Sequence, residues 1–172
     1  MIEIFAIVFL VFVLIPLAVA AKSFAPWIPT DSRDLERIFK IVKLKPGEIF
    51  YELGCGDGRV VFYANKKFGN RCVGIELALP LFLLCKLKQI INKQFGVKIK
   101  NGNLFKEDIG QVDVIYLFGI PQAINNRLRS KMEKELKKGA RVISYCFPIE
   151  GWKPILVDQS LPQKHPIFLY QR

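Results

Sequence analysis

The stretch Tyr51-Glu52-Leu53-Gly54-Cys55-Gly56-Asp57-Gly58-Arg59 leaves this chain few ways to fold. Ile49 and Phe50 lead into it as a buried strand, and Arg59-Val60-Val61-Phe62-Tyr63-Ala64 leaves it in a helical pattern. Strand, glycine turn and helix in that order bring backbone N–H groups and a helix N-terminus towards a ligand. The glycines are spaced G-x-G-x-G. A dinucleotide site has G-x-G-x-x-G, with an open helix end that receives a pyrophosphate. Glu52 and Asp57 flank the turn, where carboxylates would repel a pyrophosphate and suit a ligand carrying an ammonium group.

Arg71-Cys72-Val73-Gly74-Ile75-Glu76 forms the next strand, and Glu76 closes it twenty-two residues after Gly54. An acid at the tip of the second strand is placed to accept both hydroxyls of a ribose. A nucleoside with a cationic amino-acid tail meets both demands, and S-adenosylmethionine is such a molecule. A glycine turn alone has a purely steric explanation, so the strand context and Glu76 carry the inference.

Ahead of this unit, Ile2 to Ala21 is apolar except for Glu3. As a helix it would be about 30 Å long, the thickness of a hydrocarbon core. The expected organisation is a transmembrane anchor over 1–22, a linker over 23–30 and a catalytic domain over 31–172. Pro16 is tolerable in a membrane helix. Ala18-Val19-Ala20-Ala21 resembles a signal-peptide cleavage site, but no Lys or Arg precedes the apolar run. Lys22, Arg33 and Arg37 follow it, so the expected placement is a single-pass membrane protein with its domain on the cytoplasmic side.

The net charge is +11, and all 26 Lys and Arg lie after residue 21. Such a surface attracts anionic lipid, acidic proteins or nucleic acid, and a solvated Lys-rich exterior explains much of it. No RNA-binding motif or aromatic-interleaved basic stretch accompanies the charge, which argues against nucleic acid as a partner. Cys55, Cys72, Cys85 and Cys146 form no C-x-x-C pair, and with His165 as the single histidine no metal site is expected.

The apolar periodicity predicts a helix from about Asp31 to Leu44, stopped by Pro46-Gly47, and a helix from Arg59 to about Phe68. Another is expected from Pro80 to Phe95, and one from Ile124 to Lys138, stopped by Gly139. Further strands are expected at 97–100, 112–118, 140–147, 155–157 and 167–170, the last two separated by a loop with Pro162 and Pro166. Alternating strands and helices predict an α/β, Rossmann-like, doubly wound and mainly parallel seven-stranded sheet with an antiparallel C-terminal hairpin. Ligands bind such sheets at the carboxyl edge of the strands.

Glu52-Leu53-Gly54-Cys55-Gly56-Asp57-Gly58 with Glu76 resembles the cofactor motifs of class I S-adenosylmethionine-dependent methyltransferases. Pro26-Trp27-Ile28-Pro29-Thr30, Phe118-Gly119-Ile120-Pro121-Gln122, Gly139-Ala140-Arg141-Val142-Ile143 and Phe147-Pro148 with Trp152 and Pro154 narrow the resemblance. They are similar to the small membrane-anchored protein lysine methyltransferases whose mitochondrial members modify the ATP synthase c-subunit and the adenine nucleotide translocase. The resemblance implies that Gly54, Cys55, Gly56 and Gly58 approach the methionine part of the cofactor and that Glu52 and Asp57 hold its amino group. It implies that Glu76 holds the ribose and Asn103 receives the adenine amino group, with Leu77 and Leu104 also binding the cofactor. Phe118, Pro121 and Gln122 would border the transferred methyl, with Tyr116 and Trp152 as further channel candidates. The expected acceptor is a lysine of a membrane-associated protein. Methylation of a lipid or small molecule at the membrane surface, of RNA, or an inactive cofactor-binding module remain open alternatives. No dedicated catalytic base is implied.

Overall fold

In the computed structural model the described residues are 1–94, 96–159 and 163–172, leaving aside the side chains of residues 2, 5 and 6. Five strands run parallel in the order β3 (Val97–Asn101), β2 (Arg71–Glu76), β1 (Ile49–Leu53), β4 (Val114–Leu117) and β5 (Arg141–Tyr145). β7 (Ile167–Gln171) then lies antiparallel to β5, and β6 (Leu156–Asp158) antiparallel to β7 at the edge. The seven-stranded sheet and its antiparallel C-terminal hairpin are as expected.

β1 pairs with both β2 and β4. The chain therefore winds one way from β1 to β3 and the other way from β4, and the two directions part above the carboxyl end of β1. That switch point is where open α/β sheets form their crevice. Side chains alternate across the pleat. Val114 and Tyr116 of β4 enter one core with Phe39, Phe50 and Val60, while Ile115 and Leu117 enter the other with Ile124, Leu128 and Met132. The helices α2 (Leu35–Val42) and α3 (Arg59–Phe68) cover the first face. On the second lies a continuous helical run of α5 (Pro121–Ala123), a π-helical stretch over Ile124–Leu128 and α6 (Arg129–Glu135).

Several boundaries shift for local reasons. Helix α2 stops at Val42, before Pro46-Gly47, because Lys43 takes a left-handed φ of 50° and donates its N–H to Phe39 O. Helix α4 spans Leu79–Ile91, and Phe95 and Pro162 lie outside the described residues. Between Asn103 and β4 the chain makes only a 3-10 turn, Leu104–Lys106.

The N-terminal expectation is corrected. Helix α1 spans Ile2–Ser23, yet among the described residues no helix is long and apolar enough to cross a membrane. Its last turns belong to the domain: Leu17, Ala20 and Ser23 line the same cleft as the glycine turn, and the helix packs against α4. The part before Leu17 is about 22 Å long, short of a hydrocarbon core of about 30 Å. The bilayer contact expected through an anchor loses its basis.

Candidate active site

β1 delivers Glu52 to the floor of the crevice, where it is 3% exposed and its Oε2 accepts the Val61 N–H at 2.8 Å. Burial pushes this carboxyl well above the usual range, and Asp57 and Glu76 add to the effect. A cation brought into the crevice would reverse that shift. The turn after β1 is tied to β2, since the Gly54 and Cys55 N–H groups both donate to Ile75 O at 2.9 Å.

Glu76 clamps the turn from the other side. Its Oε2 accepts the Gly56 N–H at 2.7 Å and its Oε1 accepts the Ala78 N–H at 2.8 Å. Burial raises this carboxyl and the backbone N–H groups oppose the rise. Each oxygen keeps a lone pair for a ligand hydroxyl. Asn103 caps the 3-10 turn by accepting the Phe105 N–H at 3.0 Å, with its amide nitrogen and a second lone pair still to offer. Asp57 is engaged by its own chain, in ion pairs with Arg59 at 2.9 Å and Lys88 at 2.8 Å. A ligand ammonium would share Asp57 with those cations and would meet a more responsive partner in Glu52.

Of the residues expected to hold the cofactor, all except Gly58 line one cleft, together with Phe118 and Tyr116. Gly58 is closely packed beside that lining. It begins α3 at φ 78°, and a Cβ there would overlap Cys85 Sγ and lie 2.6 Å from Phe62 Cε2. Pro121 and Gln122 border no part of the cleft: Pro121 opens α5 and Gln122 is exposed. Trp152 stands elsewhere, edge-on to Tyr170 and donating from Nε1 to Glu133. His165 is exposed in its loop, as expected.

Residues 23–30, expected to be a linker, instead roof the cleft. Phe24 is buried against Gly119 and Gly54, and its carbonyl accepts the Ile120 N–H at 3.3 Å. A Cβ on Gly56 would sit 2.8 Å from the Trp27 Nε1, so the indole lies on the glycine turn. Thr30 closes the far end: its hydroxyl is 2.7 Å from that of Tyr116 and its carbonyl accepts from Arg59 Nη1 at 2.8 Å. Beneath the roof about 70 Å³ remains free, well under the roughly 300–1,000 Å³ of a small-molecule site. Admitting a nucleoside therefore requires the roof to lift. The aromatic and proline residues of Ala25-Pro26-Trp27-Ile28-Pro29 were the available signal, since a solvated linker has no need of an indole.

Residues 52–156 match the family model described as the ANTKMT methyltransferase domain. The chain is 34% identical over 149 residues to a protein-lysine N-methyltransferase of Saccharolobus islandicus, covering 84% of this chain and 92% of that protein.

The chain belongs to this methyltransferase family.

It is an S-adenosylmethionine-dependent protein-lysine methyltransferase. The human ATP synthase c-subunit lysine N-methyltransferase is 32% identical over 134 residues; the match covers 77% of this chain and 56% of that longer protein. Among solved structures, an RNA methyltransferase from Salinibacter ruber in complex with S-adenosylhomocysteine superposes with a TM-score of 0.77 at 27% identity, over 84% of this chain and 93% of that one. The donor set of the cleft fits S-adenosylmethionine: a buried acid at the second strand tip, a second buried acid on β1, and a glycine cradle that admits an aromatic side chain.

Proposed function

We propose that this chain methylates a lysine of a protein acceptor that presents an apolar segment beside the target amine. The observation that carries the reading is the likeness to the Saccharolobus islandicus protein-lysine methyltransferase over nearly all of that protein's length. The apolar preference is supported by the surface that leads away from the cleft along α1 and α4, which pack together and expose Leu83, Leu87, Ile90 and Ile91 of α4 and Val11, Leu14 and Ile15 of α1. Patches of this kind mark interaction surfaces. The names of the ATP synthase c-subunit enzymes among its relatives agree with such an acceptor.

In this reading Glu52 receives the ammonium of the cofactor, Glu76 the ribose and Asn103 the adenine. Gly54 and Gly56 allow the approach once Phe24 and Trp27 move away. Bound S-adenosylmethionine supplies a sulfonium methyl, and transfer forms an N–C bond while the C–S bond breaks with its electron pair passing to sulfur. The chain's part is alignment and a neutral nucleophile. Phe118 and Phe24 give the inner wall an apolar character that favours free amine over ammonium. Positioning supplies much of the acceleration without a dedicated base. The surplus proton on the product nitrogen leaves to solvent.

The test is transfer of labelled methyl from S-adenosylmethionine to fractionated proteins, extracted lipid and RNA, with Glu76→Ala as control. Label recovered as methyl-lysine from an apolar protein, and absent with the control, is expected. Label confined to lipid or RNA would overturn the reading.

A further inference from the structure

On the far side of Pro29 and Phe118 from the cofactor cleft lies a second cavity of about 310 Å³. The two share Ile28, Pro29 and Phe118 as a common wall. The second cavity holds an unusual occupant. Lys164 reaches in from the loop before β7, and its Nζ donates to Asp34 Oδ1 at 2.6 Å. Asp34 is 1% exposed, and its other oxygen accepts the Tyr145 hydroxyl at 2.8 Å. The Tyr145 ring stands edge-on to Phe118 with centroids 5.0 Å apart. A buried carboxylate, a tyrosine hydroxyl and an aromatic wall are the groups that recognise an alkylammonium, and an alkylammonium of the chain itself is paired with the carboxylate.

We propose that this cavity is the entry site for the acceptor lysine, with Asp34 and Tyr145 as its positioning residues and Lys164 as an internal surrogate that the acceptor displaces. The inference rests on the protein-lysine reading above. Its location follows from the shared wall, because Ile28, Pro29 and Phe118 line both the cavity that holds Asp34 and the methyl-transfer cleft. The site also divides two demands that one place cannot meet. At Asp34 the acceptor is held as an ammonium by a carboxylate. On leaving Asp34 for the apolar surroundings beyond Phe118 it gives its proton to solvent and becomes nucleophilic. Arg37 contributes by donating to Asp34 Oδ1 at 3.0 Å and to the backbone at His165, which fixes both the carboxylate and the loop that carries Lys164. Losing Lys164 thus leaves Asp34 partnered and in place.

The experiment titrates Nα-acetyl-lysine methylamide into the full chain saturated with S-adenosylhomocysteine, followed by NMR. Lys164→Met is expected to tighten binding about five- to tenfold by removing the competitor, and Tyr145→Phe to weaken it severalfold, with affinity for S-adenosylhomocysteine unchanged in both. Asp34→Asn is expected to abolish lysine binding, and the tyrosine variant keeps the test valid if that protein fails to fold. In turnover, Lys164→Met should lower KM for the protein acceptor and leave kcat within twofold. Lysine binding indifferent to both Lys164→Met and Tyr145→Phe would overturn the proposal even where methyl-lysine is formed. Label found only in RNA or lipid would instead remove the reading on which it rests.

Discussion

The Thr30 hydroxyl lies 2.7 Å from the Tyr116 hydroxyl, and both residues are buried. Tyr116 stands directly across from Glu52 in the β1–β4 register, so this bond fastens the outer end of the roof to the strand beside the cofactor's floor. At the inner end the carbonyl of Phe24 is held by Ile120. Between these points Trp27 lies on Gly56, and in the proposed function the roof parts from the turn to admit the cofactor.

Tyr116→Phe removes one fastening and keeps the ring in the core. A buried hydrogen bond contributes about 1 kcal/mol net, so dissociation of S-adenosylhomocysteine should quicken about fivefold in stopped-flow measurements. An unchanged rate would mean that the roof is held elsewhere.

Glu76→Gln turns an amide N–H₂ towards one of the two backbone N–H groups that the carboxylate now satisfies. It also removes the charge that a ribose hydroxyl would meet. Hydrogen bonds to charged groups are worth about 1.5–3 kcal/mol, so calorimetry should show cofactor binding weakened about 10- to 100-fold.

Glu52 makes a prediction about pH. Burial raises its folded pKa well above its unfolded value, so the folded state holds the proton more tightly. Its contribution to the cofactor-free protein is best below the unfolded value of about 4.3 and worsens as pH rises from there towards the raised folded value. Glu52→Gln should therefore raise Tm without cofactor, with a larger gain at pH 7.5 than at pH 4.5, while removing the stabilisation that S-adenosylmethionine gives the wild type. An equal gain at both pH values would contradict the assignment.

Gly58→Ala should destabilise the fold by about 2–4 kcal/mol in urea, combining a forced φ of 78° with overlap onto Cys85 and Phe62. Gly69, at φ 68° with open space around it, is the control, and its change to Ala should cost about 1 kcal/mol.

The parts of this structure that were legible in the sequence are those with strong local signals. Short apolar runs marked β1 and β2, an unbroken one marked β4, and the acid at 76 marked the strand tip facing the glycine turn. What escaped depended on contacts between distant segments. Nothing local distinguishes Gly58, crowded by Cys85 of α4, from Gly56, crowded by Trp27 of the roof. The hydropathy of residues 2–21 resembled an anchor because composition does not reveal that Leu17, Ala20 and Ser23 turn onto the domain. The roof over 24–30 and the Asp34–Lys164 pair, 130 residues apart, are likewise tertiary facts. The ion pairs of Asp57 with Arg59 and Lys88 are tertiary facts of the same kind.

The central claim is that the methyl donor binds under residues 24–30 at the carboxyl edge of β1 and β2. Amide hydrogen exchange of the full chain, with and without saturating S-adenosylhomocysteine, tests it most directly. The account predicts slowed exchange at residues 54–58, 76–78 and 102–105 together with altered exchange across 24–30. Protection confined to β6, β7 or the 146–155 segment, with the glycine turn and the roof unaffected, would contradict it.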